Sequence, residues 1–378
     1  MADTISFDRD DLANHVAAVS KVRPWAPNEK TPPVLRISPM GDGAVAISSV
    51  RAERSVTARV RCDGRLASEI FVPADAFAAA IGKTEHRTSL SPDEGGVIFR
   101  SGRLRLRFVA DPRSAMQVPA PAAADPIEID AAVLRSGLGS AVDAALRDAT
   151  KQPYLGGVYV HDDGDGLAFA AMDGTRIHTR SMDGTRIHTR SILPRETCDL
   201  LLSILPEDGP VRIAADGRRM DFAFGAARCF IVSSQLIAGV FPGCTAQFSA
   251  PTNRVLRANA DDLLADMDLA AAVAHPRDQD VRLDLGEQCI VSAFRPGAEG
   301  ASPASGEVDL IAQFTGAPLS IGFQMRPIRE ALAQFADQPI EWRMGDAESA
   351  TFITSPTAPG LKIMVMPFRL RTLLRRAA

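Results

Sequence analysis

The chain has 378 residues, of which 46% are hydrophobic and 23% are charged, a composition typical of a folded globular protein. This length predicts two or three domains. The formal net charge is −4, so any contact with nucleic acid requires a segregated basic patch. The sequence shows neither a run of 18 apolar residues nor an apolar leader, so we expect no membrane helix and no secretory signal. The five cysteines contain no C-x-x-C pair, which predicts reduced thiols, no metal site, no cofactor and a cytoplasmic location.

The first 120 residues open a pattern that the chain repeats. A short strand at 5–7 precedes a helix at 10–22, a second helix begins near Pro73, and a hairpin at 88–109 closes the segment. Apolar residues three and four positions apart in the helices mark one buried face. Aspartates near the helix starts can cap the first backbone N–H groups and interact favourably with the positive end of the helix dipole.

The same order of elements occurs twice more. In the second copy the strand is at 127–129, the first helix at 130–146, the second helix near Pro194 and the hairpin at 211–233. In the third copy the strand is at 255–256, the first helix at 261–273, the second helix near Phe323 and the hairpin at 340–366. The second helix follows the opening strand by 68, 67 and 68 residues. We therefore predict an α+β fold of three tandem domains, each an antiparallel sheet with two helices. Their predicted bounds are 1–120, 121–248 and 249–370, followed by a basic C-terminal extension at 371–378.

The middle of the chain contains a predicted hairpin and an identical tandem repeat. Strands at 155–161 and 167–172 flank an Asp- and Gly-rich turn at 162–166. The decapeptide MDGTRIHTRS then occurs at 172–181 and again at 182–191. We expect the first copy to hold the functional position and the second to form loop or strand.

Two stretches carry a specific resemblance. They are Tyr154-Leu155-x-Gly157 with Asp173-Gly174-x-Arg176-Ile177, and the C-terminal segment IMVMPFRL at 363–370. Together they resemble the bacterial sliding clamp, the beta subunit of DNA polymerase III, including divergent phage, plasmid or secondary forms. The resemblance extends over residues 4–370.

This resemblance implies a head-to-tail dimeric ring that encircles duplex DNA and has no catalysis of its own. It also implies partners, namely the polymerase alpha subunit, the clamp loader and other proteins that carry a clamp-binding peptide. The peptide would bind in a pocket between the middle and last domains. The carried-over pocket residues are Leu155, Gly174, Thr175, Arg176, Ile177, Pro242, Met364, Val365, Met366, Pro367, Phe368 and Arg369. Methionine and phenylalanine make an adaptable apolar groove, although the residues alone favour a half-buried edge strand at 365–368.

A ring that slides must contact phosphates without reading bases. The candidate contacts share a basic or polar side chain near a predicted helix or its adjoining loop: Lys21, Arg23, Lys30, Arg135, Arg147, Lys151, Gln152, Tyr154, Arg195, Arg326 and Arg329. The predicted dimer seam joins Leu104, Leu106 and Phe108 of a first-domain edge strand to Ala272 and Val273 of the third domain. The alternative for that strand is an edge covered within one chain.

Some positions depart from the clamp pattern, and other functions stay open. The segment 245–247 and Pro327 stand where clamps commonly carry other residues. One alternative is a clamp-fold module that binds peptides but no longer loads on DNA. Another is a small-molecule enzyme. The motif that could support it, Gly82-Lys83-Thr84, matches only the end of a phosphate-binding loop, because Phe77 stands where that motif requires glycine.

Overall fold

A computed structural model describes residues 3–22, 33–41, 43–84, 87–112, 117–164, 166–184, 187, 189–274, 279–295 and 303–369. The chain divides into two compact units. The first unit contains Met1–Ser136 and Glu196–Ala238, and the second contains Gly137–Arg195 and Gly239–Ala378. This division passes through the predicted middle domain, and the three-domain bounds stay a prediction.

A helix is present at each of the six predicted places. The helices are α1 (Arg9–Ser20), α2 (Ala74–Gly82), α3 (Ala131–Val142), α4 (Arg195–Ile204), α5 (Ala260–Ala271) and α6 (Met325–Leu332). Asp8 caps α1 by accepting from the backbone N–H groups of Asp10 and Asp11, and Asn259 caps α5 in the same way. No helix in the described ranges is both long enough and apolar enough to span a membrane.

The strands within the described residues are short and pair antiparallel throughout. In chain order they are β1 (Thr4–Phe7), β2 (Val34–Gly41), β3 (Ala44–Arg51), β4 (Arg54–Arg61), β5 (Asp63–Arg65), β6 (Ile70–Pro73), β7 (Thr88–Asp93), β8 (Gly96–Ser101), β9 (Leu104–Phe108), β10 (Ile127–Asp130), β11 (Gly157–Asp162), β12 (Gly166–Met172), β13 (Arg176–Asp183), β14 (Arg190–Pro194), β15 (Pro210–Ala215), β16 (Arg219–Phe224), β17 (Phe230–Gln235), β18 (Arg254–Asn259), β19 (Asp280–Leu285), β20 (Cys289–Arg295), β21 (Ala304–Asp309), β22 (Gln313–Thr315), β23 (Leu319–Gln324), β24 (Pro339–Met344), β25 (Thr351–Thr354) and β26 (Leu361–Val365).

The first unit contains two sheets. One has the strand order β5-β1-β7-β8-β9, and the other has β10-β15-β16-β17-β4-β3-β2-β6. In the larger sheet β17 pairs with β4, so strands of the first and second repeats share one ladder. Phe77 of α2 packs edge-on against Phe99 and Phe108, with ring centroids 6.1 and 5.8 Å apart. The apolar face predicted for this helix is therefore buried on the smaller sheet.

The second unit also contains two sheets, and the larger one positions the candidate site. Its order is β14-β11-β12-β13-β26-β25-β24-β18-β22, and the smaller sheet has β21-β20-β19-β23. Phe323 and the fully buried Trp342 pack with ring centroids 4.8 Å apart in the core. Trp342 also donates its indole N–H to Thr351 Oγ1 at 2.9 Å, which satisfies its buried polar group.

Three local expectations need correction. Each repeat closes with three strands and not with a two-stranded hairpin, as β7–β9, β15–β17 and β24–β26 show. Leu155 lies in the 3-10 turn Pro153–Leu155, so the strand begins later, at Gly157. The helix predicted over 130–146 ends at Val142, whose carbonyl accepts a hydrogen bond from Arg195.

Candidate functional site

The two segments that carry the resemblance lie side by side in the second unit. β13 and β26 are adjacent strands, with Arg176 opposite Val365 and Ile177 opposite Met364. The Met366 N–H extends this ladder by donating to the Thr175 carbonyl at 2.8 Å. The fold therefore brings together residues that are almost two hundred positions apart in the sequence.

A tight turn presents the start of β13. The Asp173 Oδ1 atom accepts from the Thr175 N–H at 2.9 Å, the Thr175 hydroxyl at 2.7 Å and the Arg176 N–H at 3.1 Å. Gly174 between them has φ +92°, a value that a residue with a Cβ rarely adopts. The Asp-Gly pair thus fixes the position at which β13 begins beside β26.

Arg176 is the centre of a buried ionic network. Its side chain is 4% exposed. Its Nε donates to Asp173 Oδ2 at 3.0 Å, and its Nη2 lies 2.5 Å from both the Asp143 carbonyl and Glu330 Oε2. Burial raises the pKa of Glu330, but the Arg176 and Arg326 guanidiniums outweigh that effect and the net pKa is lowered. Glu330 is therefore ionised at neutral pH and neutralises part of the charge on these arginines.

His178 lies two residues further along β13 and is completely buried. Its Nδ1 is 2.9 Å from the Ser140 carbonyl. Burial, together with the nearby charge of Arg176, lowers the pKa of His178 to about 4, although the Ser140 hydrogen bond opposes this change. The imidazole is therefore neutral at physiological pH and forms part of the buried core next to Arg176.

A cavity of about 580 Å³ opens beside this network. Its walls come from four segments of the second unit, namely the loop after α3, the turn before β13, the start of β19, and the end of β23 with the start of α6. The lining residues are Ala145, Leu146, Arg147, Asp148, Asp173, Thr175, Arg176, Gln279, Asp280, Gln324, Met325, Arg326, Pro327 and Arg329. Thr175 and Arg176 are the members of this lining that the sequence predicted for the pocket.

The predicted apolar wall continues along the C-terminal segment. Met364 and Val365 are buried, Met366 is 37% exposed, and Pro367 and Phe368 are half-buried. The Phe368 N–H donates to the Gly322 carbonyl at 2.7 Å, which holds this segment against β23. Met366 is therefore the apolar side chain of this segment that is most available to a ligand.

The other predicted pocket residues have distinct environments. Leu155 is buried, and its carbonyl accepts from the Leu146 N–H at 2.8 Å. Half-buried Pro242 follows Phe241, whose ring stacks on Tyr159 with centroids 4.9 Å apart. Arg369 is exposed, and its Nη2 lies 3.3 Å from Glu348. Arg369 directly follows the wall that Met364–Phe368 forms, and Leu155 is bonded to Leu146, a residue of the cavity lining.

Two of the arginines predicted to contact DNA hydrogen-bond to helix ends within the fold. The Arg135 Nη1 donates to the Leu202 and Leu205 carbonyls, both at 3.0 Å. The Arg195 Nη1 donates to the Val142 and Ala145 carbonyls at 2.6 and 3.0 Å. Carbonyls in the last turn of a helix lack intrahelical donors, so a guanidinium there stabilises the helix end. These two arginines therefore stabilise helix ends in this fold, and their contact with DNA stays a prediction.

The remaining DNA candidates are more accessible or lie elsewhere. Lys21, Lys151 and Gln152 are exposed, and Tyr154 is half-buried beside Gly239. Arg147 lines the cavity with its Nη2 3.9 Å from Glu330, and Arg326 and Arg329 also line it. Arg23 and Lys30 lie outside the described residues.

The predicted dimer residues lie on an edge strand and at a helix end. β9 is the last strand of its sheet, with Leu104 and Leu106 half-buried and Phe108 in the core. Ala272 is exposed after α5, and Val273 packs against the core of the second unit. Phe108 thus anchors β9 in the core, with Leu104 and Leu106 on the same face of the sheet and the exposed Arg105 and Arg107 on the opposite face.

Sequence reasoning missed the acidic partner of Arg176. Glu330 lies four residues after Arg326, and its Oε1 is 3.2 Å from Arg326 Nε. That spacing is an ordinary surface ion pair on a helix, so it gave no indication that Glu330 also reaches the buried Arg176. Pro327, noted only as a departure, lines the same cavity.

Comparisons with known proteins agree with this geometry. Residues 248–369 match the family model described as DNA polymerase III beta subunit, C-terminal domain. The beta sliding clamp of Caulobacter vibrioides is 26% identical over 292 residues, covering 74% of this chain and 76% of that protein. The Vibrio cholerae beta sliding clamp is 24% identical over 339 residues, covering 87% and 90%.

Solved structures show the same fold. A Bartonella birtlesii sliding clamp bound to griselimycin has TM-score 0.86 at 22% identity and covers 97% of this chain and 100% of that one. The Bacillus subtilis DNA polymerase sliding clamp has TM-score 0.86 at 19% identity, covering 98% and 100%. Sequence and fold together confirm that the chain resembles the bacterial sliding clamp, the beta subunit of DNA polymerase III.

Proposed function

We propose that the chain is a DNA sliding clamp, a processivity factor that encircles duplex DNA and tethers the replicative polymerase through a peptide-binding pocket. The observation that carries this proposal is the β13–β26 ladder, which joins the turn Asp173–Arg176 to the segment ending in Met366. Both segments that resemble the sliding clamp therefore contribute to one wall of the pocket, as expected if they form a single binding site.

The pocket suits a short apolar peptide. Met366 and Phe368 supply adaptable apolar surface, and the neighbouring cavity offers room for further side chains. A polymerase subunit, a clamp loader or another protein with such a peptide would bind there in turn. As a sliding clamp, the protein would tether its partners and perform no chemistry.

DNA contact would come from accessible basic side chains. Lys21 and Lys151 are exposed and stay candidates, together with Gln152 and half-buried Tyr154. Because such contacts act on phosphates, retention on DNA should weaken as salt rises. The scattered cysteines form no disulfide within the described residues, which suits the reducing cytoplasm in which a chromosome replicates.

We propose that two copies close a ring through edge strands. β9 is the edge of a first-unit sheet and presents Arg105 and Arg107, while β21 is the edge of a second-unit sheet and presents Glu307 and Asp309. Pairing β9 of one copy with β21 of another would satisfy both edges and match opposite charges. Leu106→Lys should therefore lower the dimer fraction in sedimentation velocity.

The proposed function is tested with a labelled Gln-Leu-x-Leu-Phe peptide in fluorescence anisotropy. We expect saturable binding that Met366→Ala weakens at least about tenfold, because truncation removes a central apolar contact. Ile311→Ala is the matched control, since Ile311 is an apolar residue of the same unit that is 77% exposed. Equal affinity of wild type and Met366→Ala would contradict the pocket.

The alternative of a peptide-binding module that does not load on DNA is less favoured, because the relatives match through most of the chain and are named as sliding clamps. Retention on circular duplex DNA after loading, and loss when the circle is cut, would support the clamp. Intact peptide binding without such retention would support the alternative.

A further inference from the structure

We propose that the pocket beside Met366 binds the chain's own C-terminal extension at 371–378, which thereby competes with the peptides of partner proteins. This inference rests on the proposed function and assigns a further occupant to the same pocket. It follows from the place at which the chain enters the extension, from the amino acids of the extension and from the charges around the cavity.

The chain enters the extension beside the pocket. The Met366 N–H donates to the Thr175 carbonyl at 2.8 Å, and the Phe368 N–H donates to the Gly322 carbonyl at 2.7 Å. Thr175 lines the cavity, and so does the end of β23, the strand that contains Gly322. Arg369 is the last described residue. The extension, which lies outside the described residues, therefore starts close to both the apolar wall and the cavity.

Eight residues give the extension enough reach to cross the pocket. An extended chain spans about 3.3 Å per residue, so eight residues cover roughly 26 Å. The cavity has a volume of about 580 Å³, which lies within the size range of ligand sites. The extension is therefore long enough to contact both the cavity and the apolar wall.

The extension offers apolar side chains like those of the peptide proposed above. Its sequence, RTLLRRAA, places Leu373 and Leu374 in succession after the polar Thr372. The Gln-Leu-x-Leu-Phe peptide also ends in two adjacent large apolar residues. Met366, which is 37% exposed, gives either pair an adaptable apolar contact. The two ligands should therefore compete for the same wall.

The charges around the cavity favour a basic ligand. The cavity lining contains Arg147, Arg176, Arg326 and Arg329 together with Asp148, Asp173 and Asp280, and Glu330 and Asp268 form ion pairs with two of these arginines. Four guanidiniums thus stand among five carboxylates, and this group of described residues has a net negative charge. The extension contains three arginines and no acidic residue. Its charge is therefore opposite to that of the cavity.

Covalent attachment makes even a weak contact effective. A ligand on a short flexible tether acts at an effective concentration in the millimolar range. With an intrinsic dissociation constant of about 0.1 mM, the extension would occupy about nine tenths of the pockets and raise the apparent Kd of a competing peptide about tenfold. A partner protein with additional contacts would displace it.

The experiment measures the anisotropy of a labelled Gln-Leu-x-Leu-Phe peptide with four forms of the protein. They are the full chain, a chain that ends at Leu370, a full-length Leu373→Ser/Leu374→Ser variant and a full-length Ala377→Ser/Ala378→Ser control. We expect the shortened chain and the leucine variant to bind the peptide about tenfold more tightly than the full chain does. The alanine control, which also makes two adjacent residues of the extension polar, should bind as the full chain does.

A second titration locates the contact. A labelled peptide of the sequence RTLLRRAA should bind the chain that ends at Leu370. Met366→Ala in that chain should weaken this binding at least about fivefold, because it removes the apolar contact, whereas Ile311→Ala should leave it unchanged. Higher salt should weaken it as well, since part of the attraction is ionic.

The outcomes separate this inference from the proposed function. Equal affinity of the full and shortened chains for Gln-Leu-x-Leu-Phe would overturn the inference and leave the pocket intact. A gain on shortening that the leucine variant does not reproduce would overturn the assignment to Leu373 and Leu374. Binding of RTLLRRAA that does not depend on Met366 would overturn the location. Absence of Gln-Leu-x-Leu-Phe binding by every form, the shortened chain included, would instead contradict the pocket itself.

Discussion

The two copies of MDGTRIHTRS have the same sequence but different environments. In the first copy Asp173 closes the turn into β13, Arg176 is buried in an ionic network, and His178 is fully buried. In the second copy Asp183, the equivalent of Asp173, ends β13, and Arg190, the equivalent of the half-buried Arg180, begins β14 and is exposed, whereas the equivalents of Arg176 and His178 lie outside the described residues. The glycines nevertheless agree, with φ +92° at Gly174 and +81° at Gly184. Local sequence thus sets the turn, while the sheet decides which polar residues become buried.

The second copy has a role as a connector. β13 and β14 belong to the sheet order β14-β11-β12-β13, so the chain must cross two strands between them. Three strand spacings amount to about 14 Å. The six residues at 184–189 provide this crossing, since β13 ends at Asp183 and β14 begins at Arg190.

Removing one decapeptide should have the largest effect. Deletion of either copy gives the same chain, in which Ser181 is followed directly by Ile192. With no residue left to cross about 14 Å, β14 or the end of β13 must leave the sheet. We expect loss of the cooperative unfolding transition of the second unit, measured by circular dichroism during urea titration.

A second deletion variant tests whether length is the cause. Six glycine and serine residues inserted between Ser181 and Ile192 should restore a cooperative transition, because the crossing again has enough chain. A single-copy chain that unfolds as wild type does would show that the second copy contributes nothing to the sheet.

Breaking the ionic network should have the next largest effect. Arg176→Met leaves Asp173 and Glu330 partly buried without their shared guanidinium, and removal of one member of a buried pair costs about 3–5 kcal/mol. The control Arg190→Met, on the exposed arginine of the second copy, should cost less than about 0.5 kcal/mol. Urea unfolding gives both free energies, and equal values would refute the conclusion that the buried ionic network of Arg176 contributes more to stability than an exposed arginine does.

The buried histidine predicts a pH dependence. Folding lowers the pKa of His178 to about 4, below its ordinary value of 6.5, so the unfolded chain binds the proton more tightly. Stability is complete above pH 6.5 and falls between there and about 4, by roughly 3 kcal/mol for this group. Glu330, whose pKa is also lowered, adds a loss of the same sign at still more acidic pH.

His178→Gln should flatten this slope, whatever the substitution does to packing in the core. The quantity to compare is the slope of unfolding free energy against pH, and not its absolute value. An unchanged slope in the variant would assign the pH dependence to other groups.

The sequence predicted some of these features and not others, for physical reasons. Helix positions and the Asp173-Gly174 turn depend on neighbouring residues, so periodicity and turn chemistry found them. The pairing of Arg176 with Val365 depends on distant chain segments, and only the resemblance indicated it. The hydrogen bonds from Arg135 and Arg195 to the ends of other helices were not predicted, because a helix-end carbonyl that needs a donor is not visible in the sequence around the arginine.

The smallest effect should be equal in the two copies. Gly174→Ala and Gly184→Ala each place a Cβ at positive φ, and no atom lies within 4 Å of the added carbon at either site. The cost therefore comes from the backbone alone and should be about 1–2 kcal/mol in both variants. Urea unfolding should give values that agree within about 0.5 kcal/mol. If Gly174→Ala cost clearly more, the turn before β13 would depend on its tertiary surroundings as well as on its own sequence. The conclusion that local sequence alone sets this turn would then be wrong.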